Sequence, residues 1–199
     1  MKTRLQITMV VLLSIASACQ KVILFSKGIR NPTIKSETDI REFLRERKIP
    51  SYDGSFVVRD SISFINLVKK VKTFPGVAFF SPFGEHILIN DSTYCAGVAH
   101  TFSMNLQSES SYPVDSSFLL EELTGLVRSL ESDHNLLEEE GAIVVMGFWA
   151  TYFGSVNENV FGVLEAASRN PNVKTRIYLV NIDFLESWGL KTKLNYKIN

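Results

Sequence analysis

The feature of the sequence that most constrains the fold is a long apolar run, Gly-Ala-Ile-Val-Val-Met-Gly-Phe-Trp-Ala, at residues 141–150. The run lacks the alternation of polar and apolar residues that is typical of a half-exposed strand, so it predicts a strand buried on both faces of a sheet. Apolar spacing predicts a helix over 157–169, and residues 173–183 predict a second strand. Because a helix joins these strands, we expect them to lie parallel, in a right-handed crossover over residues 142–182.

Other patterns predict further helices and strands before this unit. Acidic residues at the start and basic residues at the end predict a helix over 37–48 that is capped by Ser36. Two β-rich runs flank Gly84 and predict a hairpin with strands at 77–80 and 86–90. The remaining predictions are a strand at 54–60, a helix at 62–73 capped by Ser61, a strand at 97–106 and a long helix at 116–140.

The predicted elements fall into two halves around a polar segment. Residues 107–117 are rich in serine and contain Pro113, so we predict that residues 108–117 form a linker or surface loop. The predicted organisation is a signal peptide at 1–18, an α/β lobe at 19–107 and a β-α-β half at 118–199. The alternative is one continuous domain that also includes residues 54–107.

Charge and motif content argue against several classes of function. The 21 lysine and arginine residues balance the 21 acidic residues, so no net field would draw the chain to nucleic acid. There is no Gly-x-Gly-x-x-Gly and no Gly-Lys-Ser/Thr, and nucleotide binding therefore has no support. His86 and His134 are isolated from other metal-ligating residues, so we expect no metal and no cofactor.

The first residues predict export from the cytoplasm. Met-Lys-Thr-Arg supplies positive charge, and residues 5–16 form an apolar stretch that is short for a membrane span. Small residues at Ala16, Ser17 and Ala18 stand directly before Cys19. The pattern Ala-x-Ala is a site for ordinary signal peptidase, which predicts a secreted soluble protein.

The segment Ser-Ile-Ala-Ser-Ala-Cys at 14–19 also resembles the lipobox of bacterial lipoproteins. In that family the cysteine thiol takes a diacylglycerol, and the residue becomes the first of the mature chain. The departure is Ala16, where the family usually has leucine. The resemblance implies that Cys19 carries fatty acyl chains such as palmitate and anchors the protein in the bacterial cell envelope, facing the periplasm or the exterior.

Residues 148–156, Phe-Trp-Ala-Thr-Tyr-Phe-Gly-Ser-Val, resemble the Phe-Trp-Ala-Thr-Trp-Cys-Gly-Pro-Cys motif of thioredoxin-like proteins. The order of a buried strand, a tight turn, a helix and a strand ending in Val-Asn-Ile-Asp is also similar to that family. The resemblance implies an α/β fold, a thioredoxin-like three-layer sandwich with a central mixed sheet flanked by helices, here with an N-terminal α/β extension. It places Phe153 and Val156 at the two cysteine positions, and neither can form a thiolate.

The rest of the family pattern is incomplete in this chain. The family completes its sheet with two further strands and a helix, and only 16 residues follow Asp183. We expect the hairpin at 77–90 to fill the place of those strands, since an open edge beside the central strand would invite aggregation. The family also has a cis proline before its last hairpin, and we expect no counterpart because no proline follows Asp183. We expect Asp183, an acid common at this place in the family, to cap the following turn.

The function expected from these features is binding or assembly at the envelope, not catalysis. Its partners would be the membrane, through the lipid, and a protein or peptide. The candidate binding residues are Trp149, Tyr152 and Phe153, because an aromatic surface suits packing against a peptide. The simpler interpretation is that these rings fill a local pocket.

Two alternative functions use other features of the sequence. A thiol-dependent enzyme would use Cys95 as nucleophile and His100 or another group as its base. The simpler interpretation makes Cys95 a small buried apolar residue. A plain structural lipoprotein with no small-molecule site is the third hypothesis.

Overall fold

The computed structural model of the chain describes residues 26–47, 49, 52–71, 73–89, 96–107, 112–131 and 141–190. The helices and strands given below lie within these residues. The predicted signal peptide, Cys19, Cys95 and His134 lie outside them, as do residues 108–111 of the predicted linker.

The described residues form five α-helices and nine strands. The helices are α1 (Glu37–Arg47), α2 (Ser61–Lys70), α3 (Ala96–Met104), α4 (Leu120–Leu126) and α5 (Asn157–Ser168). The strands are β1 (Ile34–Lys35), β2 (Gly54–Val58), β3 (Gly76–Phe80), β4 (Glu85–Ile87), β5 (Val114–Leu119), β6 (Val127–Ser129), β7 (Ile143–Trp149), β8 (Thr175–Asn181) and β9 (Phe184–Leu185). Short 3₁₀ segments occur at Thr151–Val156 and Glu186–Trp188.

Seven strands form one mixed sheet in the order β5-β4-β3-β7-β8-β2-β6. β7, β8 and β2 are mutually parallel, whereas β3, β4, β5 and β6 each pair antiparallel with their neighbours. β1 and β9 form a separate parallel pair. The sheet takes strands from both predicted halves of the chain, because β2 and β3 flank the pair formed by β7 and β8.

The apolar run at 141–150 is the centre of this sheet, as predicted. All seven residues of β7 are buried, and β7 pairs with β8 over its whole length, from Ile143 opposite Thr175 to Trp149 opposite Asn181. Helix α5 connects the two strands, so the predicted β-α-β crossover is confirmed. A strand of this kind has both faces covered, which is why its sequence is continuously apolar.

Helices cover the sheet on both sides. Alternate residues of β7 enter two different cores: Val145 and Trp149 pack with residues of α1, α3 and α5, while Met146 and Phe148 pack with residues of α2 and α4. The alternation follows from the period of two along a strand. The prediction of a central mixed sheet flanked by helices is therefore confirmed.

Several other predicted elements are confirmed, including β2, α2 and the hairpin. β3 and β4 form the hairpin, with Gly84 at a φ of 79°, and β3 pairs along β7. The hairpin thus lies beside the central strand, as expected. Helix α1 begins after Ser36, which exchanges hydrogen bonds with Asp39 in a reciprocal cap. Helix α2 is capped by Asp60 and not by Ser61, since the Asp60 carboxylate accepts from the Ser63 amide at 2.7 Å.

Two predicted elements are wrong. The long helix predicted over 116–140 is broken: helix α4 is only seven residues long and lies between strands β5 and β6, because β6 pairs with the outer edge of β2. The strand predicted over 97–106 is instead helix α3, which buries Ala99 and Ser103 one turn apart. Residues 114–117 of the predicted linker belong to β5, which pairs with β4.

Candidate functional site

The turn at Thr151–Val156 lies where the parallel strands of the sheet end. It follows β7 directly and precedes α5. Its neighbour across the sheet is the end of β8, since Trp149 is opposite Asn181. On the other side lies β3, which is antiparallel to β7. In open α/β sheets, ligands commonly bind outside the carboxyl ends of the parallel strands.

Asp183 attaches this turn to the end of β8. Its carboxylate accepts hydrogen bonds from the Thr151 backbone amide and the Thr151 hydroxyl, both at 2.8 Å. It also accepts from the Asn181 side-chain amide at 2.7 Å. Asp183 is 1% exposed, so its hydrogen-bond partners are protein groups and not water. Its main interaction is with the turn 32 residues earlier, not with the turn that follows it.

The burial of Asp183 changes its acid–base properties. Removal from water raises the pKa of Asp183 above its ordinary value, against the opposing effects of the Thr151 and Asn181 hydrogen bonds and the charge of Lys35. Burial also raises the pKa of Tyr152, and the nearby Asp183 carboxylate raises it further. The turn therefore rests on a carboxyl group that gives up its proton less readily than an exposed one.

Asn157 holds the turn from its other end. The side chain of Asn157 is fully buried; its amide donates to the Ala150 carbonyl at 2.8 Å and its oxygen accepts from the Ala150 amide at 3.4 Å. Ala150 is the residue where the chain leaves the sheet, and its carbonyl also accepts from the Phe153 amide at 3.1 Å. A buried backbone group without a partner is costly, and Asn157 supplies the acceptor for the Ala150 amide.

A segment from the start of the described chain crosses over the turn. This strap, residues 26–31, donates from the Arg30 amide to the Tyr152 carbonyl at 2.9 Å and accepts at the Lys27 carbonyl from the Ser155 amide at 2.8 Å. Gly154 has φ 57° and ψ −134°, a conformation that essentially only glycine adopts. A Cβ atom at Gly154 would overlap the strap's carbonyl oxygens. Glycine is thus required both by the backbone angles and by the close approach of the strap.

A cleft of about 690 Å³ lies between the strap, helix α1 and the turn. Three basic residues of its lining, Lys27, Arg30 and Lys35, follow the strap and β1. Three acidic residues, Asp39, Glu42 and Glu46, lie on α1 at a spacing of three and four, which places them on one helix face. Arg47 also lines the cleft from α1, where it pairs with Glu158, so the α1 wall carries charges of both signs.

The three aromatic binding candidates occupy different depths. Trp149 is fully buried and stacks on Phe43 with ring centroids 5.0 Å apart, so it supports the site from below. Tyr152 and Phe153 are half-buried, contact one another at 4.6 Å between centroids and pack against the core on the α2 side. Tyr152 also lines the cleft.

The positions that matter for thiol chemistry carry no sulfur in this turn. Phe153 and Val156 occupy the places that the family resemblance gives to cysteines. His100 is exposed on α3, and Cys95 lies outside the described residues, so the proposed pairing of the two stays a prediction. The imidazole of His86 is half-buried between Phe80 and Phe118, and burial lowers its pKa.

A cis peptide bond lies directly before the β3–β4 hairpin. The Phe74–Pro75 peptide bond is cis, and Pro75 directly precedes β3, the first strand of the hairpin. The expectation of no counterpart to the family's cis proline considered only the sequence after Asp183, whereas the hairpin beside β7 comes from the earlier part of the chain, and that expectation stays a prediction.

Within the described residues, no group of three or more histidine, cysteine or acidic side chains is arranged to hold a metal ion. Across the same parts of the chain, no helix is long and apolar enough to cross a bilayer. In comparisons with known proteins, no family model, curated protein or solved structure matches this chain.

Sequence reasoning located the turn but missed two of its supports. Asn157 was assigned only to the start of a helix, and nothing local shows that its side chain reaches back to Ala150. The strap was not predicted. The available signal was a pair of glycines, Gly28 and Gly154, both at positive φ, but glycines in turns are too common to indicate that two distant segments touch.

Proposed function

We propose that this chain is a lipid-anchored, extracytoplasmic protein whose thioredoxin-like domain binds a protein or peptide, or assists assembly, without redox chemistry. The single observation that carries the proposal is the turn Thr151–Val156. It follows the central strand, it is clamped by Asp183 and Asn157, and it presents rings and aliphatic carbon in place of thiols. Disulfide exchange requires a thiolate at the attacking position, and this turn supplies none.

The arrangement of the sheet supports a thioredoxin-like domain. The β7-α5-β8 unit has the order seen in the resemblance, and the β3–β4 hairpin lies antiparallel to β7. In the family, the hairpin follows the β-α-β unit in sequence; in this chain it precedes it. The spatial neighbours of the central strand are therefore retained with a different chain order, which fits a relation of architecture in the absence of any sequence match.

The proposed anchor would hold the cleft close to a membrane. The support for the anchor is the sequence itself, with its charged start, its apolar stretch and Cys19. Ser26 lines the cleft and lies seven residues after Cys19, a distance that extended chain spans in at most about 25 Å. A partner bound in the cleft would therefore meet the protein near the bilayer surface, which suits a role in assembly at the envelope.

The anchor is tested by intact-mass measurement of the mature protein purified from membranes. We expect a chain that begins at Cys19 and carries acyl chains. The Cys19→Ser variant should leave the membrane fraction, while the Cys95→Ser variant should stay in it as the matched control. A mature chain that lacks the lipid, or a Cys19→Ser variant that stays in the membrane, would contradict the lipid anchor.

The redox claim is tested by a disulfide-reductase assay on the full chain. We expect no turnover above buffer. A Phe153→Cys/Val156→Cys variant, which restores two thiols to the turn, serves as the positive control for the geometry. Turnover by the natural chain that disappears in the Cys95→Ser variant would replace the binding function with the thiol-dependent enzyme.

A further inference from the structure

The strap brings two cationic side chains to the cleft. Lys27 and Arg30 both line the cleft, and both residues are exposed. Within the part of the chain that the structure describes, neither side chain forms an ion pair or a hydrogen bond. Two positive charges in the cleft are therefore available to a ligand.

The backbone of the same two residues is fixed to the turn. The Lys27 carbonyl accepts hydrogen bonds from the Ser155 amide at 2.8 Å and from the Ser155 hydroxyl at 2.9 Å. The Arg30 amide donates to the Tyr152 carbonyl at 2.9 Å. Binding groups that are held in place before the ligand arrives lose less conformational entropy when it binds. The strap thus holds the two cations at the cleft in advance.

Most of the charges on the α1 wall of the cleft are already engaged. Asp39 accepts a hydrogen bond in the cap of α1, and Glu42 pairs with Arg45 at 3.2 Å. Arg47 is engaged in its ion pair with α5. Among the described residues, Glu46 is the charged group of this wall that has no ion pair.

Lys35, the third base of the lining, is attracted to two carboxylates of the chain itself. These are the carboxylates of Asp39 and Asp183. The charges that remain unengaged at the cleft are therefore the two strap cations and the single carboxylate of Glu46. Their balance is positive, and it lies on the side of the strap.

The shape of the site favours a peptide over a bilayer surface as the source of the complementary negative charge. The strap cations line a concave cleft that also contains the Tyr152 ring and Glu46. A flat anionic bilayer does not follow a cleft, and Glu46 would repel it. A peptide segment can enter and place its carboxylates at the strap, where an arginine can bind one through two parallel hydrogen bonds.

We propose that the cleft takes an acidic peptide segment of its partner, and that Lys27 and Arg30 pair with the carboxylates of that segment. The inference rests on the proposed binding function and adds the chemistry of the partner. Charge complementarity of this kind also steers association, so binding should weaken as the salt concentration rises.

An array of random decapeptides, probed with the full chain carrying Cys19→Ser, tests this preference. We expect the bound peptides to be enriched in aspartate and glutamate. The Lys27→Glu and Arg30→Glu variants should lose this enrichment, and each should bind the best acidic peptide at least about tenfold more weakly. The matched control is Lys69→Glu, which makes the same change in net charge at an exposed position of α2 across the sheet. This control should bind as the parent chain does.

The possible results separate this inference from the proposed function. Bound peptides without acidic enrichment, or equal weakening by Lys69→Glu, would overturn the acidic preference and leave peptide binding in place. An array that binds no peptide would overturn both. Phosphatidylcholine vesicles that also contain phosphatidylglycerol test the bilayer. Binding to these vesicles that is lost in the Lys27→Glu and Arg30→Glu variants would overturn the proposal, because a lipid surface would then be the occupant.

Discussion

The replacement of Asp183 by alanine and by asparagine distinguishes a hydrogen-bonding role from a role that needs charge. Alanine removes both carboxylate oxygens and leaves the Thr151 amide and the buried Asn181 side-chain amide without acceptors. Each buried donor without a partner costs about 1–3 kcal/mol. We therefore expect Asp183→Ala to lower the free energy of unfolding by about 2–6 kcal/mol.

Asparagine can satisfy the same partners. Oδ2 of Asp183 accepts from both amides, and Oδ1 accepts from the Thr151 hydroxyl. An asparagine oxygen in the first position keeps both amide bonds, and its nitrogen in the second position can donate to the hydroxyl oxygen. We expect Asp183→Asn to change the free energy of unfolding by less than about 1 kcal/mol near pH 4.

The raised pKa of Asp183 predicts how the free energy of unfolding of the natural chain changes with pH. Because burial raises the pKa of Asp183 above 3.8, the native state binds more protons than the unfolded state between 3.8 and the raised pKa. The native protein therefore loses stability as pH rises through this window, and the loss grows no further above it. The Asp183→Asn variant cannot titrate at this position and does not show the loss. Relative to the natural chain, the asparagine variant should gain about 1.4 kcal/mol for each pH unit of the window.

Urea unfolding, followed by tryptophan fluorescence at several pH values between 4 and 8, measures the free energy of unfolding of the natural chain and of the alanine and asparagine variants. The reasoning would be refuted if the asparagine and alanine variants lost equal stability, which would mean that the charge is needed. It would also be refuted if the difference between the asparagine variant and the natural chain fell with rising pH.

Two further substitutions test the other supports of the turn by the same unfolding assay. Gly154→Ala forces a side chain into a glycine-only conformation against the strap, and we expect a loss of at least about 1–3 kcal/mol. Gly162→Ala, in α5 with open space around it, is the control and should gain up to about 1 kcal/mol. Asn157→Ala leaves the Ala150 amide without an acceptor and should cost about 1–3 kcal/mol, whereas exposed Asn159→Ala should cost nothing. Neutral results at Gly154 or Asn157 would contradict the clamp.

The sequence predicted the centre of the fold better than its edges. The apolar run of β7 predicts only a central, fully buried strand, because a strand with no polar face must be covered on both sides. The segment 116–140 fits helical spacing over its leucines, yet α4 ends at Leu126 and Val127–Ser129 pair with β2. That pairing depends on an open sheet edge 70 residues away in the chain, and local spacing carries no information about it.

The helix α3 shows the opposite error. Residues 97–106 were predicted as a strand, but the residues that decide the structure are small ones. Ala99 and Ser103 are buried at a helical spacing, and Ser103 donates its hydroxyl to the Ala99 carbonyl at 2.9 Å. Small buried residues contribute little to an apolar pattern, so the helical period was not visible in it.

The candidate site was predicted only where it is local in sequence. The turn could be located because the strand and the helix around it are adjacent in the chain. Asp183 was placed correctly at the end of β8, but its hydrogen bond to Thr151 follows from the parallel register of β7 and β8. The strap and the cleft depend on where residues 26–31 cross the sheet end, which a single sequence does not specify.

Site-specific photocrosslinking in membranes tests the proposed binding function most directly. A photoreactive residue placed at Lys27 or Glu46, both exposed and lining the cleft, should give a discrete adduct. The same group at Glu121, exposed on α4 across the sheet, should give none. We expect the cleft adducts to disappear in the Gly154→Ala chain. Equal yields at all three positions, or no adduct at the cleft, would contradict a partner-binding role for this site.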